Sequence, residues 1–464
     1  MATVSSEKIN QEREKVFNGN AKVNLFAPCK VGEGILAQRD IELTNAQKEH
    51  FHQLDAITFF TPASGSGSRM FQFLYDFIEN PDESNSGEME RFMNHLRDFA
   101  FFHRLPIPLK DKIKNESIDP LELAEFLLNA EGLNFGKSPK GLIPFHFNDP
   151  VVLNPFQEHL IQGAKVANGK AQFHFTIQPE FETSIRESLS NLEGMTGNKY
   201  AVSFSYQSKE SNAVAFDENQ NTVGEDDILT RPSGHGALIS NLNAIETDVI
   251  FIKNIDNVQH YSSASKSLEY WQFLGECLCS FKAELKRLSN DPSKLALAEL
   301  NQRYQFLSPA EMNAIQTMDD IQNIIHRPTR ICGMVKNEGQ PGGGPFWIER
   351  DGKISKQIVE KAQITQKGEQ YGLMIKSTHF NPVMIAASTC DIHGNKFDLA
   401  QFVDESQYFI VSKTHEGKAI KYMEQPGLWN GGMANWNTIF IEAPKETFSP
   451  VKTVLDLLGE SHLK

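Results

Sequence analysis

Positive charge is in short supply in this 464-residue sequence. Its 45 lysines and arginines stand against 59 aspartates and glutamates, for a formal net charge of −14 at pH 7. A protein that coats DNA or RNA needs a basic face to displace counterions, so a nucleic-acid polymer is excluded as the expected partner. A small phosphate ligand needs only a few local cations, and the charge balance leaves it open. Cysteine is also scarce. Cys29, Cys277, Cys279, Cys332 and Cys390 form an odd, scattered set that does not make a disulfide framework. No apolar run approaches the roughly 20 residues that span a bilayer. The segment Met1 to Asn20 is polar, mixed in charge and without the apolar stretch of a secretory signal. A cytoplasmic protein with no membrane partner is therefore expected. Tyrosine and tryptophan are few, 9 and 4, beside 33 phenylalanines, which reads as core filling.

What is present is ordinary globular material: 40% hydrophobic and 22% charged residues. The length is about three times that of a typical domain of ~150 residues. No internal repeat appears. Residues 1–50 mix helical and short apolar stretches and read as a lead-in. Ala56 to Phe60 is a short run of β-formers, expected as a buried strand. The loop Thr61 to Arg69 follows, and then Met70, Phe73, Leu74 and Phe77 recur at helical spacing. Residues 80–136 read as a mostly helical insertion. Gln172 to Ile177, Ala201 to Tyr206 and Val249 to Ile255 read as strands, and the acidic stretch Asp217 to Asp227 as a hairpin or loop. Leu268, Trp271, Leu274, Leu278, Phe281, Leu285 and Leu288 mark an amphipathic helix. Cys277 and Cys279 lie on it about 200° apart and read as core. Strand-like runs resume from Arg330, interrupted by glycine-rich loops at 339–344 and 427–432. Strands alternating with helices imply a layered α/β fold.

Strand, glycine loop, helix is a layout that aims backbone N–H groups at an anion. Gly65-Ser66-Gly67-Ser68-Arg69 fails as a dinucleotide fingerprint, because Met70 stands where the third glycine belongs. Gly136-Lys137-Ser138 resembles the end of a phosphate-binding P-loop, but Glu131 occupies its first glycine and Pro139 would enter the following helix. A third chemistry remains: small residues that let a triphosphate approach the backbone, Arg69 gripping phosphate oxygens, and Lys140 adding a point charge. The plain alternative for the loop is a strand-to-helix turn. Asp256 closes an apolar strand, a position suited to holding Mg²⁺ through an oxygen ligand. The alternative there is a simple Asp-Asn turn. Gly234-His235-Gly236 can admit a base or ribose, or can be a plain loop that opens a helix.

Pro62 to Met70 followed by Pro139-Lys140 resembles the signature of sugar-phosphate nucleotidyltransferases. Arg231 to Gly236 and Ile255-Asp256-Asn257 are similar to the nucleotide-side loop and metal aspartate of UDP-sugar pyrophosphorylases. Phe60 to Phe71, Ser138 to Phe145, Arg231 to Asn257, Arg330 to Ile348 and Gly427 to Glu442 resemble a bacterial family known as domain of unknown function 4301. That likeness spans most of the chain.

The superfamily resemblance implies a GT-A-like (Rossmann-like) mixed α/β sheet flanked by helices, with a helical insertion and a C-terminal α+β extension. The expected domains are 51–330, containing the insertion at about 80–136, and 331–464, which completes the sheet or sugar site. The insertion between Arg69 and Lys140 exceeds the superfamily spacing. The implied reaction moves a nucleotidyl group, UTP favoured, to a sugar 1-phosphate with release of pyrophosphate. Arg69, Lys140 and Asp256 carry catalysis, with Mg²⁺ on Asp256. Pro62, Ala63, Ser64, Gly65, Ser66, Gly67, Ser68, Lys137, Gly234, His235 and Gly236 bind the nucleotide. Asn337, Glu338, Gly343, His379, Asn381 and Asn430 are candidates for the sugar, with Trp429 as a stacking surface; each has a structural alternative. A nucleotide-binding sensor without turnover, or a kinase using Gly136-Lys137-Ser138, are the other function classes.

Overall fold

The computed structural model describes residues 4–81, 86–224, 228–339 and 343–463. Residues 225–227 of the acidic stretch and 340–342 of the glycine-rich loop, both singled out above, lie outside the described residues. The chain folds as mixed α/β, in two compact units. Unit 1 comprises 1–58, 206–252 and 273–445; unit 2 comprises 59–205, 253–272 and 446–464. Among the described residues no helix is long and apolar enough to cross a membrane.

Unit 1 is organised by the strand Thr329–Lys336, whose first seven residues are all buried. Burial on both faces requires a near-continuous apolar run, which Ile331, Cys332, Met334 and Val335 supply. Its neighbours make the sheet mixed. Asn437–Ala443 runs parallel to it, with Thr329 opposite Asn437 and Val335 opposite Ala443. Met384–Ser388 runs antiparallel on the other side. Asn24–Pro28, Gly344–Arg350 and Lys353–Val359 form a separate three-stranded antiparallel sheet. The hairpin in that sheet turns at Asp351 (φ 49°) and Gly352 (φ 73°), the pair of left-handed residues that a two-residue turn requires.

Unit 2 contains the strands Ala171–Thr176 and Ala201–Ser205, paired in parallel, and most of Ile57–Pro62. The expected insertion is helical, with Ser86–Asn94, Ile107–Lys114 and Pro120–Leu128. It does not stand apart. Phe92, Phe99, Phe101, Leu123 and Leu127 share one core with Met70, Phe71, Phe73 and Leu74, the helical residues just after the glycine loop. Val451, Val454, Leu455 and Leu457 from the chain's end close the same cluster. Phe92 touches the rings of Phe73, Phe99 and Phe101 and is fully buried. Phe92→Ala is expected to cost roughly 3–5 kcal/mol through lost burial and the cavity left behind. A urea melt followed by tryptophan fluorescence measures it; a loss under 1 kcal/mol would mean the insertion is not part of this core.

The amphipathic helix read in the sequence is Ser265–Asn290. All five cysteines are free and buried, as their scatter implied.

Candidate functional site

In unit 2 the strand Ile57–Pro62 delivers the chain into the loop 63–67. Residues Ser68–Phe71 form a single 3-10 turn and Gln72–Glu79 a helix. The loop is tied to the segment 138–140, far along the chain. Ser66 and Pro139 form a β-bridge, Lys140 N–H donates to Gly65 O at 3.1 Å, and Gly67 N–H donates to Ser138 O at 3.0 Å. These bonds place the Lys140 side chain beside the glycine loop.

They also correct one sequence-based role. Gly67 was expected to offer its N–H to a phosphate, but that donor is spent on Ser138. Gly67 is needed for a different reason: a side chain there would collide with Ile143 and crowd the Ser138 carbonyl. Around Gly65 the space is open, since a side chain there would meet nothing within 4 Å. Ser68 N–H is bonded to Ser66 Oγ at 3.1 Å, and the two hydroxyls lie 2.9 Å apart. Ser64 O accepts from Gln178 Nε2 at 2.6 Å, and Ala63 N–H donates to Thr176 O, so both anchor the loop's base. Pro62 ends the strand and is half-buried. Gly65, Ser66 and Arg69 are exposed.

Lys140 Nζ lies 2.7 Å from Asp256 Oδ2. The same oxygen accepts from Lys452 Nζ at 2.9 Å. Burial alone would raise the Asp256 carboxyl, but the two ammonium groups and their hydrogen bonds outweigh it and hold it below its ordinary value. Burial pushes the Lys140 ammonium down, opposed by Asp256 and assisted by the nearby charges of Lys452 and Arg69. Two cations, Lys140 and Lys452, therefore meet on one carboxylate, and Arg69 lies close enough to Lys140 to act on its charge. The pattern of charge suits a polyanion. Lys452 was not foreseen in the sequence: it lies 196 residues from Asp256, with no local motif to mark it.

Gly136, Lys137 and Ser138 do not form a phosphate cradle. Gly136 N–H donates to Leu128 O, and the N–H groups of Lys137 and Ser138 both go to Asn134 O. The Ser138 hydroxyl also donates to Asn134 O, at 2.8 Å, and Lys137 is exposed. The ground for a kinase reading is thereby removed, and Lys137 is not brought into the cation cluster.

Unit 1 holds a cavity of about 770 Å³ whose lining includes His235, Asn337, His379, Glu360 and Glu424. Of the residues expected at a sugar, Asn337 and His379 line it. Gly343 lies beside it, where a side chain would press on Glu360. Glu338 is exposed and pairs with Lys445. Asn381 and Asn430 are buried and do not line it. Asn381 Oδ1 accepts Val383 N–H, and Asn430 Nδ2 donates to Ile358 O at 2.8 Å. Trp429 is buried and does not line the cavity, and the His235 ring stacks on one of its faces at 4.0 Å. Gly234 has φ 70° and lies against Glu424; Gly236 lets the chain pass the Pro426 carbonyl. Glu360 and Glu424 are raised by burial and were also unforeseen.

His235 accepts Leu428 N–H on Nδ1 at 2.9 Å, so its proton sits on Nε2. Burial pulls its pKa down to about 4, and that of His462, a buried residue of unit 2, to about 3. Both are neutral in the folded chain at pH 5, whereas the unfolded chain binds protons there. Folded pKa values below the unfolded 6.5 mean that stability falls as pH drops from about 6.5 toward 4. The urea midpoint is expected to be lower at pH 5 than at pH 7, and His235→Phe to shrink the difference. An unchanged gap in that variant would contradict the neutral, stacked His235.

The family of the chain follows from its full length. It belongs to the family described as Domain of unknown function (DUF4301), whose model matches residues 1–463. Solved structures similar to this DUF4301 chain include a variant UDP-glucose pyrophosphorylase from Leishmania major. The match has 13% identity, covers 96% of this chain and 73% of that one, and has a TM-score of 0.47. A second is the UDP-glucose phosphorylase of Trypanosoma brucei, at 13% identity, 98% and 78% coverage and a TM-score of 0.48. A third is the uridine diphosphate N-acetylglucosamine pyrophosphorylase of Trypanosoma brucei, at 12% identity, 89% and 67% coverage and a TM-score of 0.44.

Among the described residues no group of three or more His, Cys, Asp or Glu side chains could hold a metal ion by itself. Asp256 still fits Mg²⁺. Both lysines meet Oδ2, which leaves Oδ1, and Mg²⁺ commonly binds through one or two carboxylates plus substrate phosphates.

Proposed function

We propose that the chain is a nucleotidyltransferase that moves a nucleotidyl group from a nucleoside triphosphate to a sugar 1-phosphate. A phosphate oxygen of the acceptor attacks the α-phosphorus in line. The bond from the α-phosphorus to the α–β bridging oxygen breaks, and pyrophosphate leaves with its electron pair. The observation that carries this reading is the meeting of Lys140 and Lys452 on Asp256, beside a glycine loop that ends in Arg69.

Each residue has a chemical task. The open backbone at Gly65 lets the triphosphate lie close. Arg69 grips phosphate oxygens, and the two ammonium groups offset charge that builds on the leaving pyrophosphate. Asp256 holds the lysines in place before the substrate arrives, so little reorganisation is needed during reaction. Mg²⁺, when bound at Asp256, would supply further neutralisation of phosphate charge. UTP is the favoured nucleotide by the motif resemblance. The remaining acidic surface is compatible with this, because the cations are local and the net charge of −14 is global.

The test is a matrix of nucleoside triphosphates against sugar 1-phosphates, read by coupled pyrophosphate detection. One or more pairs are expected to release pyrophosphate, with UTP the best donor. Silence across the matrix, with Mg²⁺-dependent nucleotide binding intact, would contradict turnover and leave a sensor.

A further inference from the structure

Lys452 belongs to a stretch of unit 2, residues 449–462, that closes on itself. Residues 256–260 hold both of its ends. Val451 N–H donates to Asp256 O at 3.0 Å, Asn257 and Pro450 form a β-bridge, and Ser449 N–H donates to Asn257 Oδ1 at 3.0 Å. At the other end His260 N–H donates to Ser461 O at 2.9 Å. Between the ends, Val451, Val454, Leu455 and Leu457 enter the core shared with Phe92. Asp456 Oδ2 accepts the N–H groups of Lys452 and Thr453, both at 2.7 Å. A loop whose ends meet and whose own side chains pack beneath it keeps one shape, and here that shape presents Lys452 to Asp256.

The neck of the loop is fastened by a buried polar chain. His462 Nδ1 lies 3.0 Å from His146 Nε2, and His146 Nδ1 lies 2.7 Å from Glu158 Oε1. Glu158 Oε2 accepts Gln162 Nε2 at 3.0 Å, and the same amide group donates to Gln259 O at 2.7 Å. The carboxylate thus fixes the His146 ring, and that ring fixes His462, which stacks on it with centroids 5.3 Å apart. The Ser449 backbone favours a proton on the His462 ring, as only its carbonyl oxygen can, so His462 also faces the start of the loop.

The side chains of His146 and Glu158 have no exposed surface, so neither can touch a substrate. Burying a carboxylate and imidazoles is costly unless each is bonded, and what this set holds is the neck of the loop. We propose that His462 is a positioning residue for Lys452: anchored on His146 and Glu158, it keeps the loop 449–462 closed and so fixes the Lys452 ammonium on Asp256. Its value to the reaction rests on the role of Lys452 in the proposed function.

The first readout needs no turnover. The full chain is treated with an amine-acylating reagent at neutral pH, and the rates at Lys452 and at the exposed Lys137 are read by mass spectrometry. In His462→Ala the Lys452 rate is expected to rise severalfold as the loop opens locally, while Lys137 keeps its wild-type rate. The second readout is kcat/KM. His462→Ala is expected to lose about tenfold, within the cost of a displacement of about 1 Å. In the Lys452→Met background the same change should cost less than about twofold, because the side chain it positions is gone. A merely structural histidine would cost the same in both backgrounds. His462→Asn, which can still bond His146, should shift both readouts less in the same direction, and it stands in if the alanine variant does not fold. An unchanged Lys452 rate in the variant used, a rise shared by Lys137, or equal losses in the two backgrounds would overturn the proposal. If the wild-type chain releases pyrophosphate with no substrate pair, it is the proposed function that has failed, and the acylation rates alone decide whether His462 places Lys452.

Discussion

Asp256→Ala is expected to abolish nearly all nucleotidyl transfer, by a factor of about 10³, the upper end for loss of one preorganised charge-stabilising element. The carboxylate is the shared partner of Lys140 and Lys452. Without it, two ammonium groups with Arg69 nearby repel one another and leave their positions. Stability should also suffer, because removing one member of a buried pair strands the other; about 3 kcal/mol is expected. The pH dependence has a definite sign. The Asp256 carboxyl is held below its ordinary value, so its contribution is present above the unfolded pKa of about 3.9 and is lost as pH falls through the lower folded value. The alanine variant should therefore lose stability at pH 7 and converge with the parent in strong acid. Equal stability of the two at pH 7 would contradict the paired carboxylate.

The second large effect concerns the lysines. Lys140→Met and Lys452→Met are each expected to reduce kcat/KM by about 10²-fold, since each removes one cation from the phosphates. The double variant should fall short of the product of the two single losses, because both lysines act through one carboxylate. A coupling energy of about 1 kcal/mol or more is expected from the double-mutant cycle. Strictly multiplicative losses would mean that the lysines serve independent sites. Lys137→Met, by contrast, should leave kcat/KM within about twofold, because an exposed side chain away from the cluster contributes little.

The contrast between Lys137, Lys140 and Lys452 shows what the sequence can and cannot carry. Lys140 was legible because Pro139-Lys140 follows a glycine loop at a recognisable order. Lys137 stood only three residues away and looked equivalent. The N–H bonds that Lys137 and Ser138 make to Asn134 O, which close the turn and leave Lys137 outside, have no signature in residue type. Lys452 was invisible because its partner is distant in sequence and no motif surrounds it; its neighbours Val451 and Val454 are core residues in the structure. The fold was legible where one pattern dominated, as in the strand Val249–Lys253 and the helix Ser265–Asn290. The loop residues around the unit 1 cavity were harder. Asn430 and Asn381 were sugar candidates for which the sequence favoured a structural role, and both do support neighbouring backbone. Glu360 and Glu424, which do line the cavity, sit in ordinary strand-end contexts that carry no functional mark.

The account turns on which phosphate bond is broken. ³¹P NMR of the full chain with UTP, Mg²⁺ and the sugar 1-phosphate that performs best in the pyrophosphate assay reads this directly. The account predicts equal growth of pyrophosphate and of a two-phosphorus nucleotide–sugar diester, both lost in Asp256→Ala. Growth of UDP with inorganic phosphate or a newly phosphorylated sugar, which requires cleavage at the γ-phosphorus, would contradict it.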